Sequence, residues 1–222
     1  MQIDLLDRPA HALARVRLEH GESVMGADGA VVAFTPGIEP APRAAGLVGG
    51  LRRLLGTEGF TPSELCAQRG AGEVLLAPPL CGDMTVLEVG GTSWLLSSGA
   101  FVASTGAIEL RTRGGALATF FAGAAGLDHE QPGAGQLVVG AFGGLERLEV
   151  DGRAVVDTGH VVAWDAGLET RLGDPGTGLL TAWLSGETST CTFAGHGVVW
   201  MQSRNLSEYG SRVGRRLPPR GA

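Results

Sequence analysis

One stretch of eleven residues occurs three times along this chain of 222 residues, each time without a gap. Every copy begins with glycine, has alanine at its fifth position and ends with an aliphatic residue followed by glutamate. Internal repetition constrains the fold more than any other feature, because residues at matching places must share a structural role. The copies are GAVVAFTPGIE at 29–39, GAFVASTGAIE at 99–109 and GHVVAWDAGLE at 159–169.

Two further features recur in the same order. One is G-x-G followed by an apolar run, at 70–76, 133–139 and 195–201. The other is L-x-x-φ-φ, in which φ is a large apolar residue. In each copy it lies between the glycine-led stretch of eleven residues and the G-x-G feature. We therefore predict a single β domain over 1–204 that consists of three tandem repeats, at about 1–89, 90–150 and 151–204.

The repeated apolar runs predict a mainly β fold. Segments such as GAVVAF are too short for a stable isolated helix and suit strands that are covered on both faces. The leading glycines, Gly29, Gly99 and Gly159, are predicted at turns or bulges that need a positive φ, or where another backbone passes close by. The L-x-x-φ-φ segments are predicted to form short apolar helical turns or loops that protrude from the body.

Several segments together resemble the mitochondrial-biogenesis (altered inheritance of mitochondria) family, in its bacterial uncharacterised branch. The resemblance lies in GESVMGADGAVVAFTPGIE, GGLRRLLG, GEVLLAPPLCGDM, VVDTGHVVAWD and GVVWMQSRN, and it extends to about Asn205. It implies a double-stranded β-helix assembly similar to the tryptophan RNA-binding attenuator protein. It also implies a role near the mitochondrial inner membrane in eukaryotes, and it brings no catalytic residues.

Composition excludes several functional classes. The chain is 44% hydrophobic and 18% charged, which indicates a folded protein and not a disordered one. A formal net charge of −6 argues against nucleic-acid binding, which needs a basic face for phosphates. The three cysteines, Cys66, Cys81 and Cys191, are widely spaced and form no C-x-x-C, so neither a zinc site nor a disulfide framework is predicted.

The two termini carry their own expectations. Residues 1–18 contain five charged side chains and no continuous apolar stretch, so we predict neither a signal peptide nor a membrane span and expect a cytoplasmic protein. The segment 205–222 carries four arginines against one glutamate and is predicted to be a mobile basic tail.

The sequence VVDTG at 155–159 resembles the motif of aspartic proteases, which need two carboxylates that share a proton. The repeat alignment places Ser97 opposite Asp157, so the matching position is a turn residue and a second such motif does not occur. We favour a turn role for Asp157. A hydrolase that uses Asp157 remains the alternative hypothesis.

A second candidate site is the carboxylate triad Glu39, Glu109 and Glu169, which occupies matching positions in the three copies. If these side chains faced a common axis, they could bind a cation or raise one another's pKa. The competing interpretation is a charge at each strand end that faces solvent. The sequence contains no H-x-H or H-E-x-x-H, and we predict no cofactor and no bound metal.

The apolar projections are the better functional candidate. As a group they could form an exposed patch that is too large for a monomer surface, or they could be buried in the β body or in a contact between copies. Their residues are Leu51, Leu54, Leu55, Phe120, Phe121, Trp183 and Leu184. We predict a non-catalytic scaffold or binding protein that forms homo-oligomers and engages a protein partner or a membrane surface. The alternative is a hydrolase or metal-dependent enzyme that uses Asp157 or the carboxylate triad.

Overall fold

The computed structural model describes residues 1–41, 63–91, 93–105, 108, 111–112, 125–126, 135–173 and 190–218. Over these residues the secondary structure is mainly β strand, with a 3-10 turn at Thr158–His160 and an α-helix, α1, at Leu206–Gly214. The predicted mainly β class is confirmed. The strands are β1 (Gln2–Leu6), β2 (Leu13–Leu18), β3 (Ser23–Gly26), β4 (Val31–Phe34), β5 (Glu39–Pro40), β6 (Ser63–Cys66), β7 (Gly72–Leu76), β8 (Met84–Val89), β9 (Trp94–Leu96), β10 (Phe101–Thr105), β11 (Arg111–Thr112), β12 (Ala125–Gly126), β13 (Gly135–Gly140), β14 (Leu145–Asp157), β15 (Val161–Asp165), β16 (Glu169–Leu172) and β17 (Thr190–Gln202).

The described strands pair in three antiparallel sheets. The first sheet has the order β1-β2-β7-β4, and the second has the order β5-β6-β3-β10-β13-β8. The third has the order β11-β12-β9-β15-β17-β14, with β16 also paired to β17. Strands from different thirds of the chain therefore share a sheet, since β3 lies beside β10 and β9 lies beside β15.

The glycine-led stretches fold alike at their first strand. Each such strand begins two residues after its leading glycine and pairs antiparallel with the apolar run that follows G-x-G. In each pair the register shifts at the same place, as expected for a β-bulge. The shifts fall between Val31 and Ala33, between Phe101 and Ala103, and between Val161 and Ala163.

Burial of these strands differs between the copies. The first four residues of β10 and of β15 are all buried, as predicted for strands covered on both faces. In β4 the residues after Val31 are exposed, so the prediction of two covered faces is wrong for this copy. The reason is that β4 is the last strand of its sheet in the described part of the chain, whereas β10 and β15 each lie between two strands.

The core consists of three hydrophobic clusters, and each one joins different thirds of the chain. Val102 and Ala103 complete a cluster built on β2, β3 and β7. Val162 and Ala163 complete the next cluster, built on β8, β10 and β13. The third contains Trp164, Phe193 and Val199 together with Leu95. The double-stranded β-helix remains a prediction, and the apolar helical turns lie outside the described residues.

Candidate interaction surface

The predicted apolar projections are the L-x-x-φ-φ segments. All of their residues, Leu51, Leu54, Leu55, Phe120, Phe121, Trp183 and Leu184, lie outside the described part of the chain. Their exposure and their role in binding stay predictions.

The three leading glycines lie in turns at matching positions, but glycine is required there for different reasons. Gly29 and Gly99 adopt φ values of +74° and +80°, which a residue with a side chain rarely tolerates. Gly159 lies in the 3-10 turn without a positive φ, and a Cβ there would lie 2.0 Å from Nδ2 of Asn205. We predicted either a positive φ or a close backbone at these glycines. Gly29 and Gly99 have the positive φ, whereas the close contact at Gly159 comes from a side chain.

Two carboxylates of the predicted triad, those of Glu39 and Glu169, form ion pairs with nearby arginines. Glu39 forms an ion pair with Arg69 at 2.5 Å, and Glu169 forms one with Arg171 at 2.6 Å. The two glutamates begin strands of different sheets, and Glu109 lies outside the described residues. Among the described residues, no group of three or more histidine, cysteine, aspartate or glutamate side chains is placed to hold a metal ion.

Asp157 caps the 3-10 turn. Its Oδ1 accepts hydrogen bonds from the Gly159 N–H at 2.8 Å and from Nδ2 of Asn205 at 3.4 Å. Beside it, Nε2 of Gln202 donates to the Gly159 carbonyl at 2.9 Å, and Nδ1 of His160 lies 2.7 Å from the Gln202 carbonyl. This arrangement is the turn role that we favoured, because the carboxylate accepts from the backbone N–H of Gly159 inside the turn.

Burial acts on the pKa of the Cys191 thiol and on the pKa of the Asp83 carboxyl. Desolvation raises the pKa of the Cys191 thiol to about 12, so the thiol stays protonated and unreactive at neutral pH. For Asp83, burial acts to raise the pKa. The hydrogen bonds from Arg8 and from the Met84 N–H, together with the charge of Arg8, outweigh burial and hold that pKa below its usual range.

Two strands at sheet edges expose apolar side chains. On β4, Val32 is 59% exposed and Phe34 is 47% exposed. On β14, Val155 is 43% exposed. Sequence reasoning missed these residues, although the repeat contained a signal for them. If each copy pairs with the next, the first and last copies must each have an unpaired edge.

An apolar groove of about 590 Å³ lies beside Val155. The groove is formed by both halves of β14, by the end of β17 and by the turn at His160. Its apolar lining is Leu145, Leu148, Val155, Val156 and Met201. Most of this lining is only partly buried, so the groove presents hydrophobic surface where a partner could be seated.

The segment 205–222, which we predicted to be a mobile basic tail, contains the helix α1 at Leu206–Gly214. The Asn205 side chain accepts from the Glu208 N–H at 3.1 Å, and the pattern N-x-x-E at 205–208 is a helix-start signal that could have identified it. Tyr209 packs edge-on against Phe142, with ring centroids 5.4 Å apart. No helix in the described part of the chain is long and apolar enough to cross a membrane.

Comparison with known proteins places most of the chain, residues 3–204, in one family. The family model described as mitochondrial biogenesis AIM24 matches residues 3–204. An uncharacterised protein of Streptococcus pyogenes serotype M6 is 32% identical over 219 residues, which cover 93% of this chain and 87% of the relative. A crystal structure of a Streptococcus pyogenes protein has a TM-score of 0.78 at 27% identity, and the alignment covers 97% of this chain and 99% of that one.

Proposed function

This chain belongs to the mitochondrial biogenesis AIM24 family, and we propose that it is a non-catalytic scaffold that assembles with copies of itself and presents apolar segments to a partner or a membrane surface. The exposed apolar edges carry this proposal. Val32, Phe34 and Val155 are exposed on strands that have a free side in the described part of the chain, and such edges favour pairing with another chain.

The candidate catalytic groups support a non-catalytic role. The Asp157 carboxylate caps a turn, and Glu39 and Glu169 each bind an arginine. A general acid or base must instead lie within hydrogen-bond reach of the group whose proton it transfers. In this proposal the three side chains serve local structure.

The finer fold prediction belongs to the same proposal. We propose that the chain consists of three tandem copies of one β unit, arranged as in a double-stranded β-helix. The matching register shifts in β4, β10 and β15 support this arrangement. In repeat proteins each unit buries the face of its neighbour, and a terminal unit needs a cap or a partner.

Self-assembly is tested by size-exclusion chromatography with light scattering on the full chain. We expect a molar mass of at least two chains at micromolar concentration. A mass of one chain across the accessible concentration range would contradict the scaffold proposal.

Surface binding is tested by co-sedimentation with vesicles of phosphatidylcholine and phosphatidylglycerol. Arg52 and Arg53 lie beside the leucines of the first L-x-x-φ-φ segment, a combination that suits an anionic membrane surface. We expect retention on the vesicles that is lost in Leu54→Asp and Trp183→Asp and kept in the control Val213→Asp. Equal sedimentation of all variants would show that these segments do not bind lipid.

A further inference from the structure

Two internal junctions of the chain share one geometry. β10 pairs antiparallel with β3, and β15 pairs antiparallel with β9. The registers match position by position: Ala103↔Gly26, Ser104↔Met25 and Thr105↔Val24 in the first junction, and Ala163↔Leu96, Trp164↔Leu95 and Asp165↔Trp94 in the second. In both junctions, the strand that follows the leading glycine of one copy thus pairs with the strand that precedes the leading glycine of the copy before it.

A backbone hydrogen bond closes each junction at the same place. The Ala27 N–H donates to the Val102 carbonyl at 2.8 Å, and the Ser97 N–H donates to the Val162 carbonyl at 2.9 Å. In the repeat alignment the next donor is the N–H of Asp157, and the matching acceptor is the carbonyl of Val32. Among the described strands, β4 and β14 lie at the ends of different sheets and are not paired with each other.

Apolar side chains of β4 and β14 are exposed, as expected for two strands that would be covered if they paired with each other. Val32 is 59% exposed, whereas Val102 and Val162 at the matching positions are at most 1% exposed. Val155 is 43% exposed, whereas the matching Leu95 is 6% exposed. Phe34 repeats the pattern, since the matching Ser104 and Trp164 are buried and Phe34 is not.

The groove beside Val155 matches a place in the preceding copy of the repeat that is filled by side chains of β15. Its lining residues Leu145, Leu148, Val155, Val156 and Met201 match Met84, Leu87, Leu95, Leu96 and Val139, all of which are buried. In that buried counterpart, Val162 packs in one cluster with Leu87, Leu96 and Val139. The residue that matches Val162 in the first copy is Val32.

We propose that copies of this chain join head to tail, with the free edge of β4 in one copy paired antiparallel to residues 154–156 of β14 in the next. The register is Ala33↔Val156, Phe34↔Val155 and Thr35↔Ala154, and Val32 enters the groove. This inference rests on the proposed self-assembly and names the surfaces that carry it. The contact is heterologous, so it generates a closed ring or an open chain.

The contact between copies is weaker than the internal junction at β15. At the β15 junction a second bond joins the Ala166 N–H to the Ser93 carbonyl at 2.8 Å. The residue that matches Ala166 in the first copy is Pro36, which has no N–H to donate. The intermolecular junction therefore lacks this bond, and we expect the assembly to dissociate on dilution.

The test uses two full-length variants that each damage one half of the contact. Val32→Asp places a charge on the inserted residue, and Val155→Asp places one in the groove. Because both side chains are exposed in a single copy, both variants are expected to fold, which circular dichroism and urea unfolding check. Burying an unpaired carboxylate is expected to weaken self-association at least about a hundredfold. Val213→Asp on α1, where the valine is 39% exposed, is the matched control and should assemble as the unmodified chain does.

Mixing the variants identifies the head-to-tail geometry. Each variant alone should be monomeric by light scattering, and an equimolar mixture should form a species of two chains. In the mixture, the intact β4 edge of Val155→Asp binds the intact groove of Val32→Asp, and no further copy can be added. Variants that stay oligomeric alone, or that give no two-chain species when mixed, would overturn the head-to-tail contact. If the unmodified chain is oligomeric in those cases, the proposed scaffold role survives, whereas a monomeric unmodified chain ends both.

Discussion

At the scale of single residues, the most buried charge among the described ion pairs is that of Asp83. The residue is 4% exposed, and its carboxylate accepts from Nε of Arg8 at 2.7 Å, from Nη2 of Arg8 at 2.9 Å and from the Met84 N–H at 2.8 Å. Because Arg8 reaches across from the loop between β1 and β2, this pair ties the start of the chain to the start of β8. A buried charge that loses its partner costs free energy, so the pair is sensitive to substitution.

We predict that Arg8→Gln lowers the free energy of unfolding by about 1–3 kcal/mol at neutral pH. The folded state lowers the pKa of Asp83, so the stabilisation is complete above the ordinary carboxyl range and is lost as the pH falls through the folded value. The difference between Arg8→Gln and the unmodified chain should therefore shrink below about pH 4. Urea unfolding of both proteins at pH 7 and at pH 3 measures this difference in the free energy of unfolding.

The control for Arg8→Gln is Arg171→Gln, which breaks the exposed pair with Glu169. Exposed ion pairs contribute about 0–1 kcal/mol, so this variant should lose little stability at either pH. Equal losses in the two variants would show that burial of Asp83 does not set the strength of its ion pair.

A second single-residue prediction concerns Gly135, which begins β13. A Cβ at Gly135 would lie 2.6 Å from Oγ1 of Thr105, close to the hydrogen bond that this hydroxyl accepts from the Gln136 N–H. We expect Gly135→Ala to cost about 1–3 kcal/mol, because the close packing there leaves no room for a methyl group. Gly144→Ala is the control, since its nearest contact would be 3.6 Å. Chemical denaturation of both variants is the measurement, and similar stabilities would contradict the packing argument.

At the scale of elements, α1 has no buried residue and depends on its cap. We predict that Asn205→Ala lowers the stability of this helix by about 0.5–2 kcal/mol, because the Glu208 N–H loses its acceptor. Faster amide hydrogen exchange over residues 206–214 is the expected signal, with exchange in β17 unchanged.

Gly210→Ala is the opposing variant for the same helix. A Cβ at Gly210 would meet nothing within 4 Å, and alanine favours the helix by about 1 kcal/mol over glycine. Exchange over 206–214 should become slower. If Asn205→Ala and Gly210→Ala shift the exchange rate over 206–214 in the same direction, the cap and the helix propensity do not control the stability of α1.

At the scale of the whole molecule, head-to-tail contact links stability to concentration. A chain that is stabilised by binding its own copies unfolds at a temperature that rises with protein concentration. We therefore expect the thermal midpoint of the unmodified chain to rise over a hundredfold range of concentration. The midpoint of Val155→Asp should stay constant. A constant midpoint in both proteins would mean that the contact adds no stability.

Much of the local structure could be predicted from the sequence. The glycine-led copies at 29–39, 99–109 and 159–169 predicted strands and turns at matching positions, and the register shifts in β4, β10 and β15 fall at the same place in each copy. Such features depend on residues close in sequence, because glycine and short apolar runs limit the backbone locally. The turn role of Asp157 was predicted for the same reason.

The sequence by itself determined that the glycine-led stretches become strands that follow turns at matching positions. The tertiary structure alone decided which copies are covered: the same valine position is exposed at Val32 and buried at Val102 and Val162. It also decided the contact of Asn205 with Gly159 and the ion pair of Arg8 with Asp83. Burial depends on which strand lies on the other side of an edge, and that neighbour is set by pairing between residues far apart in the chain.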